Sequence, residues 1–195
     1  ELSSFQLHSM HCAPDVAIIT NISPNHLDVH PDLEDYVSAK CSIYRGQRPD
    51  GVLVLNARDA HTLRFAAEAP GSVRYFSSVG PVENGVYCSD GVIYRAHGGK
   101  AEKLIDVSDI RIPGAHNVEN YMAAFAATDG LVGQAACVQV ARSFAGVPHR
   151  MERIRELNGI TFINDSIASS PTRTIAGLHA LPKPPVIILG GHDKH

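Results

Sequence analysis

The chain has no tryptophan, only 6% aromatic residues and no CxxC pair among its four cysteines. Cys12, Cys41, Cys88 and Cys137 are scattered, which predicts free thiols in a reducing cytoplasm and not a disulfide framework. An excess of either charge is also missing. Seventeen Lys and Arg against twenty Asp and Glu leave a formal net charge of −3, which gives no support to a nucleic-acid partner. No apolar run approaches a membrane span; the longest, such as Pro185 to Leu189, are the size of strands. Internal repeats and low-complexity tracts are absent. What remains is 44% hydrophobic and 19% charged over 195 residues, enough for one large or two small domains with real cores.

Strand-like and helix-like runs alternate through the first part of the chain. Val16–Ile22, Gly51–Leu55 and Val73–Phe76 read as strands, and Asp32–Gln47 and Asp59–Ala69 as helices. That order predicts βαβ units, a mostly parallel sheet and an α/β fold, with functional loops at the carboxyl ends of the strands. Residues 85–95 read as a β-hairpin turning at Ser89-Asp90, followed by a short strand near Lys103–Val107. Helices are then predicted from about His116 to Leu131 and from Gln134 to Ala145. Gly146-Val147-Pro148-His149-Arg150 reads as a linker, its Gly and Pro breaking the helix. Beyond it, strands on either side of Asn158-Gly159, a helix near Pro171–Leu181 and a strand at Pro185–Leu189 begin a second α/β unit. Residue 1 is Glu, Glu1–Leu7 reads as the end of a strand, and the last strand breaks into a loop, so the expectation is an internal piece of a longer protein.

Several residues call for a chemical reading. Val16–Ile22 runs into a polar turn with His26 and Asp28, and Lys40 lies on the apolar stripe of the next helix (33, 36, 37, 40, 43, 44). A lysine in such a stripe must snorkel, find a partner or lose its charge. Asn117 and Asn120 share a helix face, suited to a ligand such as a nucleotide base, although Asn117 could simply cap the helix. His149-Arg150 and Asn164-Asp165-Ser166 place an Arg, able to clamp phosphate oxygens, near polar residues at a strand end. A plain Arg150–Asp165 ion pair is the alternative there. Gly190-Gly191 permits close backbone approach to a ligand that Lys194 could meet. His8, His11 and Cys12, or His192 and His195, fall short of a zinc ligand set, and most of the eleven histidines read as surface residues.

Taken in order, Glu1-Leu2-Ser3-Ser4-Phe5-Gln6-Leu7, Asn25-His26-Leu27-Asp28 with Tyr36 and Lys40, and Pro113-Gly114-Ala115-His116-Asn117 with Asn120 resemble the Mur ligase family. Pro148-His149-Arg150, Asn164-Asp165-Ser166, and Gly190-Gly191 with Lys194 continue the match to the end of the chain. The opening segment looks most like the D-glutamate-adding branch. The resemblance implies a central ATPase domain over residues 1–147, with its N-terminal part missing. It also implies the start of a Rossmann-like C-terminal ligand-binding domain over 148–195. It implies ATP-dependent amide bond formation through an acyl phosphate, adding D-glutamate to UDP-N-acetylmuramoyl-L-alanine in a cytoplasmic enzyme, monomeric at full length. Glu1 and His26 would be magnesium ligands, joined by Lys40 as a carbamate, with His26 and Lys40 catalytic. Asn117 and Asn120 would contact the adenine region, and Arg150 and Asp165 the nucleotide's phosphate and ribose. Lys194 would help hold D-glutamate through a carboxylate, with Ser169 also in the substrate site.

Two departures stand out. Many relatives carry Lys after Asn-Asp-Ser, where this chain has Ile167, and no Gly-Lys-Thr/Ser phosphate loop occurs in these residues. Alone, the 195 residues are therefore expected to be inactive. The competing expectations are another Mur-type or folylpolyglutamate-type amide ligase, and a catalytically dead nucleotide-binding protein of the same fold.

Overall fold

A computed structural model describes residues 1–22 and 30–190. By their contacts they form two compact units, residues 1–110 with 118–142, and residues 111–117 with 143–195.

The first unit is built on a six-stranded sheet in the order β1 (Val16–Ile19), β2 (Val52–Asn56), β3 (Ser72–Ser77), β4 (Gly85–Ser89), β5 (Val92–His97), β6 (Lys100–Asp106). β1 to β4 pair in parallel, and β5 and β6 add on antiparallel. The mostly parallel α/β sheet expected from the alternation is present. The hairpin turns at Asp90-Gly91 and not at Ser89-Asp90, because Asp-Gly is the pair that accepts the left-handed φ of 50° and 74° that a tight two-residue turn needs. At Gly85 (φ 134°), a side chain would run into the backbone of Tyr75 on β3, so glycine is required for the parallel β3–β4 approach.

Two helices follow the predicted rhythm between the first strands: α2 (Leu33–Arg45) and α3 (Thr62–Glu68). α2 starts where Asp32 accepts the Asp35 N–H at 2.8 Å. Tyr36, Val37, Cys41 and Tyr44 on its inner face pack with Ala17, Ile19, Leu53, Leu55 and Phe65. Each fully buried large side chain there contributes about 1.5–3 kcal/mol. Val54, on the other face of β2, is also fully buried, as expected of a parallel strand covered on both sides. Helices α4 (Ala115–Thr128) and α5 (Gln134–Ser143) complete the helices of this part of the chain. Arg74 on β3 donates to the carbonyls of Ala126 and Asp129, tying down the C-terminal end of α4.

Three sequence expectations are corrected. Glu1–Leu7 is not the end of a strand: Ser4–Ser9 is a helix, α1. Ser3 accepts the Gln6 N–H while the Gln6 side chain accepts the Ser3 N–H, a reciprocal cap that outweighs the strand-like alternation. β1 stops at Ile19, and Thr20–Ile22 is held by side chains: Asn56 donates to the Thr20 carbonyl at 3.1 Å and Asp59 accepts the Ile22 N–H at 2.6 Å. Pro185–Leu189 forms no strand among the described residues; Val186 and Ile188 stand 97% and 95% exposed with no neighbouring strand to pair with.

The second unit holds the antiparallel pair β7 (Glu152–Leu157) and β8 (Ile160–Asn164) and the helix α6 (Pro171–His179). Its hairpin turns at Asn158-Gly159, both left-handed, as the dipeptide predicts.

Candidate functional site

Lys40 sits where its stripe places it. It is half-buried on α2, and its Nζ donates to the Leu2 carbonyl at 3.2 Å and lies 5.9 Å from the centre of the Tyr36 ring. No carboxylate forms an ion pair with it among the described residues. Burial pushes its pKa below the usual lysine range, and the negative charge of Glu1 opposes that shift only in part. The amine is therefore closer to neutral than a surface lysine. A neutral amine is the form that can capture carbon dioxide. Of the other expected ligands, Glu1 is exposed at the start of the chain and bears on Lys40 through its charge. His26 lies outside the described residues. Were Lys40 carbamylated, its carbamate, the Glu1 carboxylate and the His26 imidazole would make an oxygen-rich donor set of the kind that suits a hard divalent cation such as magnesium.

The surroundings of Lys40 contain a group that sequence reading missed. His30, which the sequence reading did not single out, is 4% exposed. Its Nδ1 lies 2.7 Å from Asp35 Oδ2 and its Nε2 2.9 Å from Ser4 Oγ, and its ring packs on Phe5 and Tyr36. The bond to His30 holds the Asp35 carboxyl below the usual carboxylate range. Nothing local in the sequence signals this contact, since Ser4 and His30 are brought together only by the packing of α1 on α2.

The asparagine pair lies on α4. The helix begins at Ala115, so Asn117 sits inside its first turn and is not the cap. The side chain donates to the Pro113 carbonyl at 2.6 Å, where a capping side chain would accept. Asn120 is exposed.

In the second unit, Arg150 occupies a tight turn. His149 (φ 65°) and Met151 (φ 47°) on either side of it are both left-handed, an uncommon and costly backbone for residues with side chains. The turn is strapped to the end of β8 and its neighbours. The His149 N–H donates to Glu152 at 2.8 Å, the Met151 N–H to Asp165 at 3.0 Å, and Asn164 meets the His149 ring at 2.9 Å. The expected alternative, an Arg150–Asp165 ion pair, does not form; Asp165 holds the backbone and leaves the guanidinium exposed and unpaired among the described residues. Gly177 on α6 comes so close to Asp165 and the Met151 sulfur that a Cβ would sit 3.0 and 2.9 Å from them. Ser169 is exposed just ahead of α6, Ile167 is also exposed, and Lys194 lies outside the described residues. No group of three or more His, Cys, Asp or Glu able to hold a metal occurs among the described residues. A cavity lined by Arg74, Asn84, His97 and Asp129 includes none of the expected site residues.

The Mur ligase middle domain matches residues 1–128, about two thirds of the chain. The chain belongs to the Mur ligase family. Across its whole length this Mur ligase chain is 50% identical to UDP-N-acetylmuramoylalanine--D-glutamate ligase of Acetivibrio thermocellus. It is 48% identical to the protein of that name from Clostridium botulinum strain Alaska E43. It spans about 42% of the length of these curated relatives. Among solved structures, MurF from Acinetobacter baumannii has the same fold, with a TM-score of 0.66 and 23% identity over 91% of this chain and 40% of that one. MurC from Thermotoga maritima follows at 0.62 and 22%, covering 91% and 40%.

Proposed function

We propose that the full-length protein containing this Mur ligase chain is an ATP-dependent ligase that joins D-glutamate to UDP-N-acetylmuramoyl-L-alanine in the cytoplasm. The observation that carries this reading is the identity of 46–50% along the entire chain to relatives that bear that ligase name. Residues 1–147 would form part of the central ATPase domain and 148–195 the beginning of the C-terminal ligand-binding domain.

The reaction runs in two steps. The substrate carboxylate attacks the γ-phosphorus of ATP, the bond to the β-phosphate oxygen breaks, and an acyl phosphate and ADP result. The amine of D-glutamate then attacks the acyl carbon, an amide forms, phosphate leaves and the amine's proton passes to solvent. Positioning and charge stabilisation supply most of the acceleration in such transfers. Glu1, His26 and a carbamate on Lys40 would hold magnesium, which when bound offsets charge on the transferring phosphoryl group. The depressed pKa of Lys40 supports the carbamate, because the amine must be neutral to react with carbon dioxide. The exposed guanidinium of Arg150 is free to meet phosphate oxygens, and Asp165, which steadies its turn, would face the ribose. Asn117 and Asn120 would contact the adenine region, and Lys194 and Ser169 a carboxylate of D-glutamate.

The test is phosphate release by the full-length protein with UDP-N-acetylmuramoyl-L-alanine, ATP and Mg2+. Release is expected with D-glutamate and not with L-alanine or meso-diaminopimelate. Equal release with either of the latter would overturn the assignment.

A further inference from the structure

Helices α1 and α2 are joined by a buried polar line. Asp35, a carboxylate with its pKa lowered, can only accept, so His30 Nδ1–H donates to it at 2.7 Å. The other ring nitrogen, Nε2, is hydrogen-bonded to the Ser4 hydroxyl at 2.9 Å. His8 approaches the other Asp35 oxygen at 3.5 Å. The order Ser, His, Asp is that of a hydrolase nucleophile and its base. Ser4, however, is 1% exposed and the imidazole lies among the rings of Phe5, His8 and Tyr36, so no substrate carbonyl can reach the hydroxyl. The line works as a tie.

One end of the tie is the first residue of α1, three positions after Glu1; the other lies on α2, five positions before Lys40. The same two stretches are linked a second time by Lys40 Nζ and the Leu2 carbonyl. With two links between them, residues 1–2 cannot slide along α2 without breaking a buried hydrogen bond. We propose that His30 is a positioning residue that sets the separation of Glu1 and Lys40 and so tunes how tightly that pair binds a divalent cation. The inference rests on the reading of Glu1 and Lys40 as cation ligands given above. Its chemistry is that of outer residues that orient metal ligands, whose loss typically weakens metal binding about 10- to 100-fold.

The experiment is Mn2+ titration of the full-length protein without nucleotide, followed by electron paramagnetic resonance, with near-ultraviolet circular dichroism as the check on folding. His30→Phe keeps the ring and removes both bonds; Ser4→Ala removes one. Mn2+ affinity is expected to fall about tenfold in His30→Phe and less in Ser4→Ala. The double variant should be no weaker than His30→Phe, because both act through one imidazole. A lower melting temperature with unchanged Mn2+ affinity in both single variants would show a structural role alone and overturn the proposal. If His30→Phe fails to fold, unchanged affinity in Ser4→Ala is sufficient to overturn it. Lys40→Ala and Glu1→Gln separate the two readings. If those variants bind Mn2+ as the parent does, the cation site itself is wrong. If they lose binding while His30→Phe keeps it, only the positioning role falls.

Discussion

Around Lys40 the functional side chain is held and the backbone is ordinary; around Arg150 the backbone is held and the side chain is free. The first arrangement uses two capped helices, a buried Ser4–His30–Asp35 line and a direct bond from Lys40 to the Leu2 carbonyl. The second packs two left-handed residues into a short turn and spends the nearby polar groups, Glu152, Asn164 and Asp165, on keeping it in place. A group that must lose charge needs burial and a fixed surround, because desolvation is what shifts its pKa. A guanidinium needs neither, being charged in any setting, and is most useful where it can reach.

The largest effects should separate the two arrangements by the kind of loss. In the full-length enzyme, Lys40→Ala is expected to lower turnover by about 10²–10³, the scale of losing a charge-stabilising group, with partial recovery on adding acetate or formate. Arg150→Ala should act mainly on the KM for ATP, and its thermal unfolding should match the parent's, since the guanidinium makes no hydrogen bond or ion pair among the described residues. Full turnover in Lys40→Ala would sink the carbamate. A Lys40-like collapse of kcat with unchanged KM in Arg150→Ala would erase the contrast.

The next effect probes the strapped turn. Asp165→Ala removes the acceptor of the Met151 N–H and is expected to cost about 1–3 kcal/mol, read as a lower urea midpoint for the residues around 149–151 by hydrogen exchange. Ser3→Ala removes the cap of α1 at about 1 kcal/mol, and protection should be lost in α1 instead. Loss spread evenly over both regions in either variant would mean that the two arrangements are not locally supported.

The smallest effect concerns pH. The folded pKa of Lys40 lies below its ordinary 10.5, so between the two values the unfolded chain binds the extra proton and stability rises with pH. Lys40→Met removes that burden. Its melting temperature should exceed the parent's below the folded pKa, and the gap should close as the pH approaches 10.5. A gap that widens with pH would show that Lys40 is stabilised as a cation.

Much of the sheet was legible because strand and helix periods differ, and because Asn158-Gly159 and the Asp90-Gly91 region are chemically distinct turns. The beginning of the chain was misread because Leu2-Ser3-Ser4-Phe5-Gln6-Leu7 alternates like a strand, while the reciprocal Ser3–Gln6 cap that makes it a helix depends on just two side chains. Lys40 was legible because its stripe is local to one helix. His30 was not, since its burial depends on a helix twenty-six residues away from it in sequence. Arg150 was picked out by its neighbours, but the two strained residues beside it have no signature, as neither is glycine or asparagine.

Asp59 gives the fold a mechanical property. One of its oxygens holds the Ile22 N–H at 2.6 Å, and the other holds the His61 N–H at 2.9 Å, at the entry to α3. A single carboxylate thus works as a rivet through two layers, the stretch that continues β1 and the start of a helix. Asn56 on β2 backs the same joint, donating to the Thr20 carbonyl at 3.1 Å and accepting the Thr62 hydroxyl at 2.6 Å, so losing the Asp59 carboxylate would slacken both parts without freeing either.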